Sequence, residues 1–413
     1  MITKDDTAKT KPGAGLERRI AELGRKLTDT FTPVLDAIPS GPFGPVELAR
    51  VLGIDKVLAS RVVKAARHRD PIAVVHTMPG PEPLRRFLRC ASAKRVDPAL
   101  IAAAGESVNA FELLIRRDAG DRSALDAIIS AWLPEAKREF ELRRKQAAFR
   151  AMSQLKGSAA DISLATVILH PSDDGNSLDV VWVFGLFGLQ RLRPGIAVKF
   201  NSRRVSGRGS PRRPKTLSGE SVEGFNGLRL DEFCSNEATH LVAAQSGDVV
   251  HYTLPENGFG PRSATDLVFA EANYAEMPRY LPADSDRRGY VFAEVATPVK
   301  LLVFDVLADT AVYPRSDATL AIYDTVLNGI ADINDPARDI DRLDMSESIQ
   351  SLDTGLARLR TTEVPRYSDL LKHVFGKLGW DADHFRGYRC RIDYPLYGSQ
   401  IAMAFDPPAP PDS

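Results

Sequence analysis

Cysteine is scarce in this chain. Cys90, Cys234 and Cys390 are the only three in 413 residues, and they lie far apart. An odd number, with no CxxC pair and no Cys/His cluster at zinc spacing, excludes a disulfide framework and argues against a structural zinc site. Long apolar runs are missing as well. The most apolar stretch, VVWVFGLFGL at Val180–Leu189, is about half of the ~20 residues that a spanning helix needs. The opening MITKDDTAKTKPGAG has no apolar core and so does not read as a secretory signal. Net charge is absent too, since 54 Lys and Arg balance 54 Asp and Glu. These lacks give the expectation of a cytoplasmic protein without a membrane contact.

The zero charge is a sum of opposites. Met1–Lys156 holds 28 basic against 19 acidic residues, an excess of nine, and Gly157–Ser413 holds 26 against 35. Charge asymmetry of this kind points to a nucleic-acid or membrane contact on the basic side. The texture changes at the same place. Up to Lys156 apolar residues recur at helical spacing, as in Leu16, Ile20, Leu23, Leu27 and Phe31. From Gly157 onward, short β-branched and aromatic runs alternate with Gly, Pro, Asn and Asp.

The expected class is therefore α+β, an all-α N-terminal part with one wing followed by a β-rich α+β domain. Residues 1–15 are expected to be a disordered tail, 16–95 a winged helix-turn-helix, 96–156 a helical connector, 157–405 the effector or partner domain, and 406–413 a second disordered tail. Helices are expected at Leu16–Ile38, Val46–Leu52, Lys56–Arg67, Glu82–Ala93, Asp97–Arg117 and Asp121–Leu155. In the last of these, Pro134 either kinks the helix or opens a new one. Ile72–Met78, IAVVHTM, is β-branched and reads as a short strand. Later strands are expected at Ser163–Leu169, Leu178–Leu186, Ile196–Asn201, Thr239–Ala244, Val249–Leu254, Tyr290–Val295, Lys300–Val306 and Ala318–Tyr323. A helix is expected over Tyr367–Leu378, and YRCRIDYP and SQIAMAFD suggest a final strand pair.

ELARVLGIDKVLASRVVKAARHR, Glu47–Arg69, carries the most specific signal. Ala49 is the small residue where two helices would cross, and Gly53 supplies the left-handed backbone of a turn. Leu48, Leu52, Ile54, Leu58 and Val62 are spaced to pack inward. Outward, the second helix offers Lys56, Ser60, Arg61, Lys64, Arg67 and Arg69 with no acid among them. Such a helix suits the major groove, its first residues near base edges and its cations on phosphates.

The spacing Ala49, Gly53, Ile54, Ser60, Arg61, Val62, Val63 resembles the helix-turn-helix of LacI-type regulators, over about 20 residues. The resemblance implies that Ser60 and Arg61 contact the phosphate backbone and that Lys56, Val57 and Asp55 face the groove. The strand and turn after the second helix look like the wing of a winged helix-turn-helix, which makes a generic bacterial winged module the closer analogue. The competing reading is that the same helices serve packing or protein contact.

Other candidates are weaker. RRVSGRGSPRRPK, Arg203–Lys215, is a basic loop able to touch phosphate or simply to be solvated. Arg85, Arg86 and Arg89 would extend a phosphate surface, pair with Glu82 or face water. His170, His240, His251, His373 and His384 show no metal-binding spacing. Ser206 and Ser210 belong to no nucleophile elbow. Asp332–Asp344 has calcium-loop composition without its spacing. The expectation is a non-enzymatic, cofactor-free DNA-binding regulator, homodimeric on double-stranded DNA, whose second domain senses a small molecule or a protein partner. The alternative is an interaction or assembly protein that uses the basic helices for protein contacts.

Overall fold

In a computed structural model, residues 14–411 are described, apart from 40, 42–43, 205–213, 236–239, 247–248 and 256–257. The chain divides into two compact units, Met1–Glu141 and Leu142–Ser413.

Proline sets the beat of the first unit. Its helices are α1 (Ala14–Asp36), α2 (Pro45–Leu52), α3 (Lys56–Arg67), α4 (Pro71–Thr77), α5 (Pro81–Ala93), α6 (Pro98–Leu114) and α7 (Arg122–Ser130), with α8 (Pro134–Lys156) starting at its end. α2, α4, α5 and α6 each carry proline in their first turn, where the missing N–H costs nothing. Pro134 likewise opens a new helix rather than kinking one. Ile20, Leu27 and Phe31 of α1 are fully buried, and Phe31 packs on Phe87 of α5 with ring centroids 5.9 Å apart.

Two expectations fail here. Ile72–Met78 is not a strand, and the described residues of this unit contain no wing. Asp70 caps the segment by accepting from the Ile72 N–H, Pro71 fixes the first turn, and these local devices outweigh the β preference of Ile and Val. α6 and α7, within the expected helical connector 96–156, belong to the core of this unit. Val108, Phe111, Leu125 and Ile129 are wholly buried in the same core as α1. Pro98–Ala119 is the one described segment with the length and hydropathy of a membrane span, and its Ala104, Val108 and Phe111 lie in that core.

The described residues of the second unit form twelve strands: β1 (Ser158–Pro171), β2 (Ser177–Arg191), β3 (Val198–Arg204), β4 (Val242–Ser246), β5 (Val249–Leu254), β6 (Thr265–Pro278), β7 (Gly289–Glu294), β8 (Val299–Asp309), β9 (Thr319–Asp324), β10 (Ile349–Leu352), β11 (Phe385–Asp393) and β12 (Ser399–Phe405). A six-stranded sheet runs β10-β11-β8-β1-β2-β6, with only β1 and β8 parallel. One face, including Val167, Phe304 and Cys390, packs on the sheet β7-β12-β9. The other, including Ile168, Val183 and Val303, packs on α10 (Tyr367–Leu378), which follows the single turn α9 (Leu356–Leu359). A third sheet, β3-β5-β4, gathers Phe200, Phe225, Tyr252 and Phe269. The second half of α8 lies on this unit through Phe149 against Tyr394, at 5.4 Å, and through the Lys145–Glu347 ion pair.

YRCRIDYP and SQIAMAFD are both strands but not a pair: β11 joins β8 and β10, while β12 joins β7 and β9. The proline-rich end is anchored as far as Pro408, whose carbonyl accepts from the Leu281 N–H at 3.1 Å, and Asp406 pairs with Arg288 at 2.6 Å. It is therefore not a loose tail over that span.

Candidate nucleic-acid interface

α2 buries Leu48 and Leu52 and stops at Gly53, which adopts φ 66°, ψ 34° and returns its N–H to the Ala49 carbonyl. This left-handed step suits glycine because it has no Cβ to clash. Ile54, 7 % exposed, plugs the turn, and its N–H also reaches the Ala49 carbonyl at 3.1 Å. Asp55 then caps α3, its Oδ1 accepting from the Leu58 N–H at 2.8 Å. Two helices thus meet across Gly53, Ile54 and Asp55, a turn of the length found in helix-turn-helix motifs.

α3 is sharply two-faced. Leu58, Ala59, Val62, Val63 and Ala65 are buried. Lys56, Val57, Arg61, Lys64 and Arg67 are exposed, as are His68 and Arg69 beyond the last turn, and Ser60 is half-buried. Val57 stands 69 % exposed in the leading turn, an unusual setting for an apolar side chain. Among the described residues Lys56, Lys64 and Arg69 form no ion pair. Arg61, exposed as well, donates from Nε and Nη2 to the Thr77 and Met78 carbonyls at 3.0 and 3.2 Å.

Of the alternatives for the three arginines of α5, the structure shows pairing with acids for two and exposure for the third. Arg85 is engaged by Glu112 and by Asn109, the latter at 3.0 Å, and Arg89 by Glu82 at 3.3 Å, leaving Arg86 exposed. The Arg85 hydrogen bond and the Arg116 charge hold the Glu112 carboxyl below its usual range. In the basic loop Arg203–Lys215, residues 205–213 and with them Ser206 and Ser210 lie outside the described residues. Lys215 rests over the Tyr274 ring at 4.9 Å.

Three of the candidate histidines have ordinary partners, His384 lying 3.8 Å from Asp381. His170 stacks on Trp380 at 4.3 Å, and His373 pairs with Glu232 at 3.4 Å. No group of three or more His, Cys, Asp or Glu side chains able to hold a metal ion occurs among the described residues. The second unit does contain a cavity of about 490 Å³ between β2, β6 and β7, which no motif announced. Its one advance signal was the pair Trp182 and Phe184, two residues apart and so on one face of a strand.

No family model, no curated protein and no solved structure matches the chain.

Proposed function

We propose that the protein is a DNA-binding transcriptional regulator that docks α3 in the major groove of duplex DNA, with its second unit sensing a ligand or partner. The observation that carries this reading is the exposed stripe on α3, cationic at Lys56, Lys64, Arg67 and Arg69 and free of acids between Lys56 and Arg69. Cations so placed release counterions from phosphates. Val57 in the leading turn matches a thymine methyl, and Ser60 can donate to phosphate or base. Arg61 plays its main part in holding the helical unit together. A two-fold dimer on paired half-sites is part of this proposal.

The test is retention of genomic duplex fragments by the full-length protein at low salt. Lys56→Ala, Lys64→Ala and Arg69→Ala combined are expected to weaken binding at least tenfold. The salt slope should fall by about 0.9 for every phosphate that is no longer neutralised. The triple variant should unfold like the wild type. Undiminished retention by a folded triple variant rejects the interface.

A second reading, protein contact through the basic unit, is favoured by the exposure of Val46 at 62 % and Val57 at 69 %. It predicts no DNA retention and a change of oligomeric state on Val57→Asp.

A further inference from the structure

The cavity of the second unit combines aromatic walls with acidic side chains. Its volume, about 490 Å³, falls in the range of roughly 300–1,000 Å³ usual for small-molecule sites. Trp182 and Phe184, alternate residues of β2, stack at 5.8 Å with ring planes 6° apart. Phe292 of β7 meets Trp182 edge-on at 6.5 Å. Phe200 and Phe225 complete the aromatic lining.

The polar lining has a single sign. β6 places Glu271 directly across from Trp182 in register, and Asn273 follows two residues on, on the same face. Glu276 stands near the end of β6, and Glu294 lies two residues beyond Phe292 on β7. Among the described residues no Lys, Arg or His lines the cavity. The three carboxylates do not converge as a metal-binding group. They are instead distributed around an aromatic box.

Ring faces carry negative quadrupole charge and attract cations, most strongly where water is excluded. Carboxylates spread around such rings add long-range attraction for the same sign and repel anions. We propose that this cavity binds a small organic cation, an amine or quaternary ammonium whose apolar body lies against Trp182, Phe184 and Phe292 while its charge faces Glu271 and Glu294. The site belongs to the second unit alone, so it stands or falls independently of DNA binding by α3.

The test is titration calorimetry of the full-length protein with three probes. They are benzyltrimethylammonium, its neutral near-isostere 2-methyl-1-phenylpropan-2-ol, and the anion benzylphosphonate. The cation is expected to bind saturably, at least tenfold tighter than either of the others. Glu271→Gln with Glu294→Gln keeps side-chain shape and should weaken the cation at least tenfold, and Trp182→Leu should weaken it further. Should the double variant unfold early, the exposed Glu294→Gln alone, expected to weaken binding about threefold, decides. Equal affinity for the three probes, no binding of the cation, or unchanged affinity in the folded carboxamide variant overturns the proposal.

Discussion

Arg61 and Arg122 hold the same helix end. Arg61 donates to the carbonyls of Thr77 and Met78, and Arg122 to those of Val75 and His76 at 3.1 and 2.7 Å. α4 has only seven residues, and the carbonyls of Val75, His76 and Thr77, beyond the last helical bond from Met78 to Val74, need partners outside the helix. Two guanidinium groups satisfy them and complement the negative end of the helix dipole. A segment with strand-like composition is thereby kept helical.

The stability effects of the basic residues should therefore separate from their effects on DNA binding. Arg122→Ala is expected to cost about 2 kcal/mol and Arg61→Ala about 1 kcal/mol, as hydrogen-bonded cations at a helix end do. Lys64→Ala, on the exposed face, should stay within about 0.5 kcal/mol. Amide exchange at Met78, whose N–H bonds to the Val74 carbonyl at 2.8 Å, reports the opening of α4 directly. Equal exchange in Arg122→Ala and wild type would contradict the capping role.

At Gly24 the backbone of α1 runs close against Pro71 at the start of α4. A Cβ there would sit 1.9 Å from the Pro71 carbonyl oxygen, so backbone would have to move. Gly24→Ala is expected to destabilise the helical unit by roughly 3 kcal/mol despite its better helix propensity. Gly105, inside α6, is the control: a Cβ there meets nothing within 4 Å. Gly105→Ala should stabilise by about 0.5–1 kcal/mol. Urea midpoints at constant slope measure both, and shifts of the same sign would refute the close approach.

What the sequence announced and what it hid follow from the range of the forces involved. α3 matched its expected bounds because its apolar spacing, the Gly53 turn and the Asp55 cap are all local. α4 was misread because its β-branched residues masked the local start signal of Asp70 and Pro71, and because the partners of its last turn are remote: Arg61 is sixteen residues before Thr77, and Arg122 is forty-six after His76. β6 escaped notice because FAEANYAE is rich in Ala, Glu and Asn, which strands disfavour. Its polar residues Glu271 and Asn273 line the cavity instead of marking a solvent face. The cavity itself joins residues from β1 to beyond β9, and no motif encodes such a distance.

Three neighbouring strands place Thr166, Asp305 and Arg389 in one row, since Asp305 is the register partner of both others. Asp305 is fully buried and takes both its oxygens to Arg389, at 2.8 and 2.6 Å. Two further guanidinium N–H groups donate to the Leu359 and Arg360 carbonyls. Arg389→Met alone strands a buried carboxylate and is expected to cost about 3–5 kcal/mol. Asp305→Leu with Arg389→Met removes both charges and should cost less than either change alone. A double-mutant cycle by chemical denaturation decides, and additive losses would show that the pair is not coupled.

Tyr367 closes that row from α10. Its hydroxyl donates to Asp305 at 2.5 Å and lies 3.0 Å from the Thr166 hydroxyl. Burial, with the neighbouring Asp305 charge, pushes its ionisation well above the usual tyrosine range. The raised value fixes the sign. Below about pH 10 the phenol is neutral in folded and unfolded chains, and its full contribution is present. As pH rises further the unfolded chain loses this proton and the folded chain keeps it. Stability then falls by up to about 1.4 kcal/mol per pH unit on account of this group. Burial raises Tyr313 in the same direction, so the measurable quantity is a difference between proteins. Tyr367→Phe should lose about 1–2 kcal/mol at pH 7 and show a stability slope between about pH 10 and 12 that is shallower by one proton. Parallel slopes for wild type and variant would mean that the hydroxyl already ionises in the folded sheet, and the buried row would have to be redrawn.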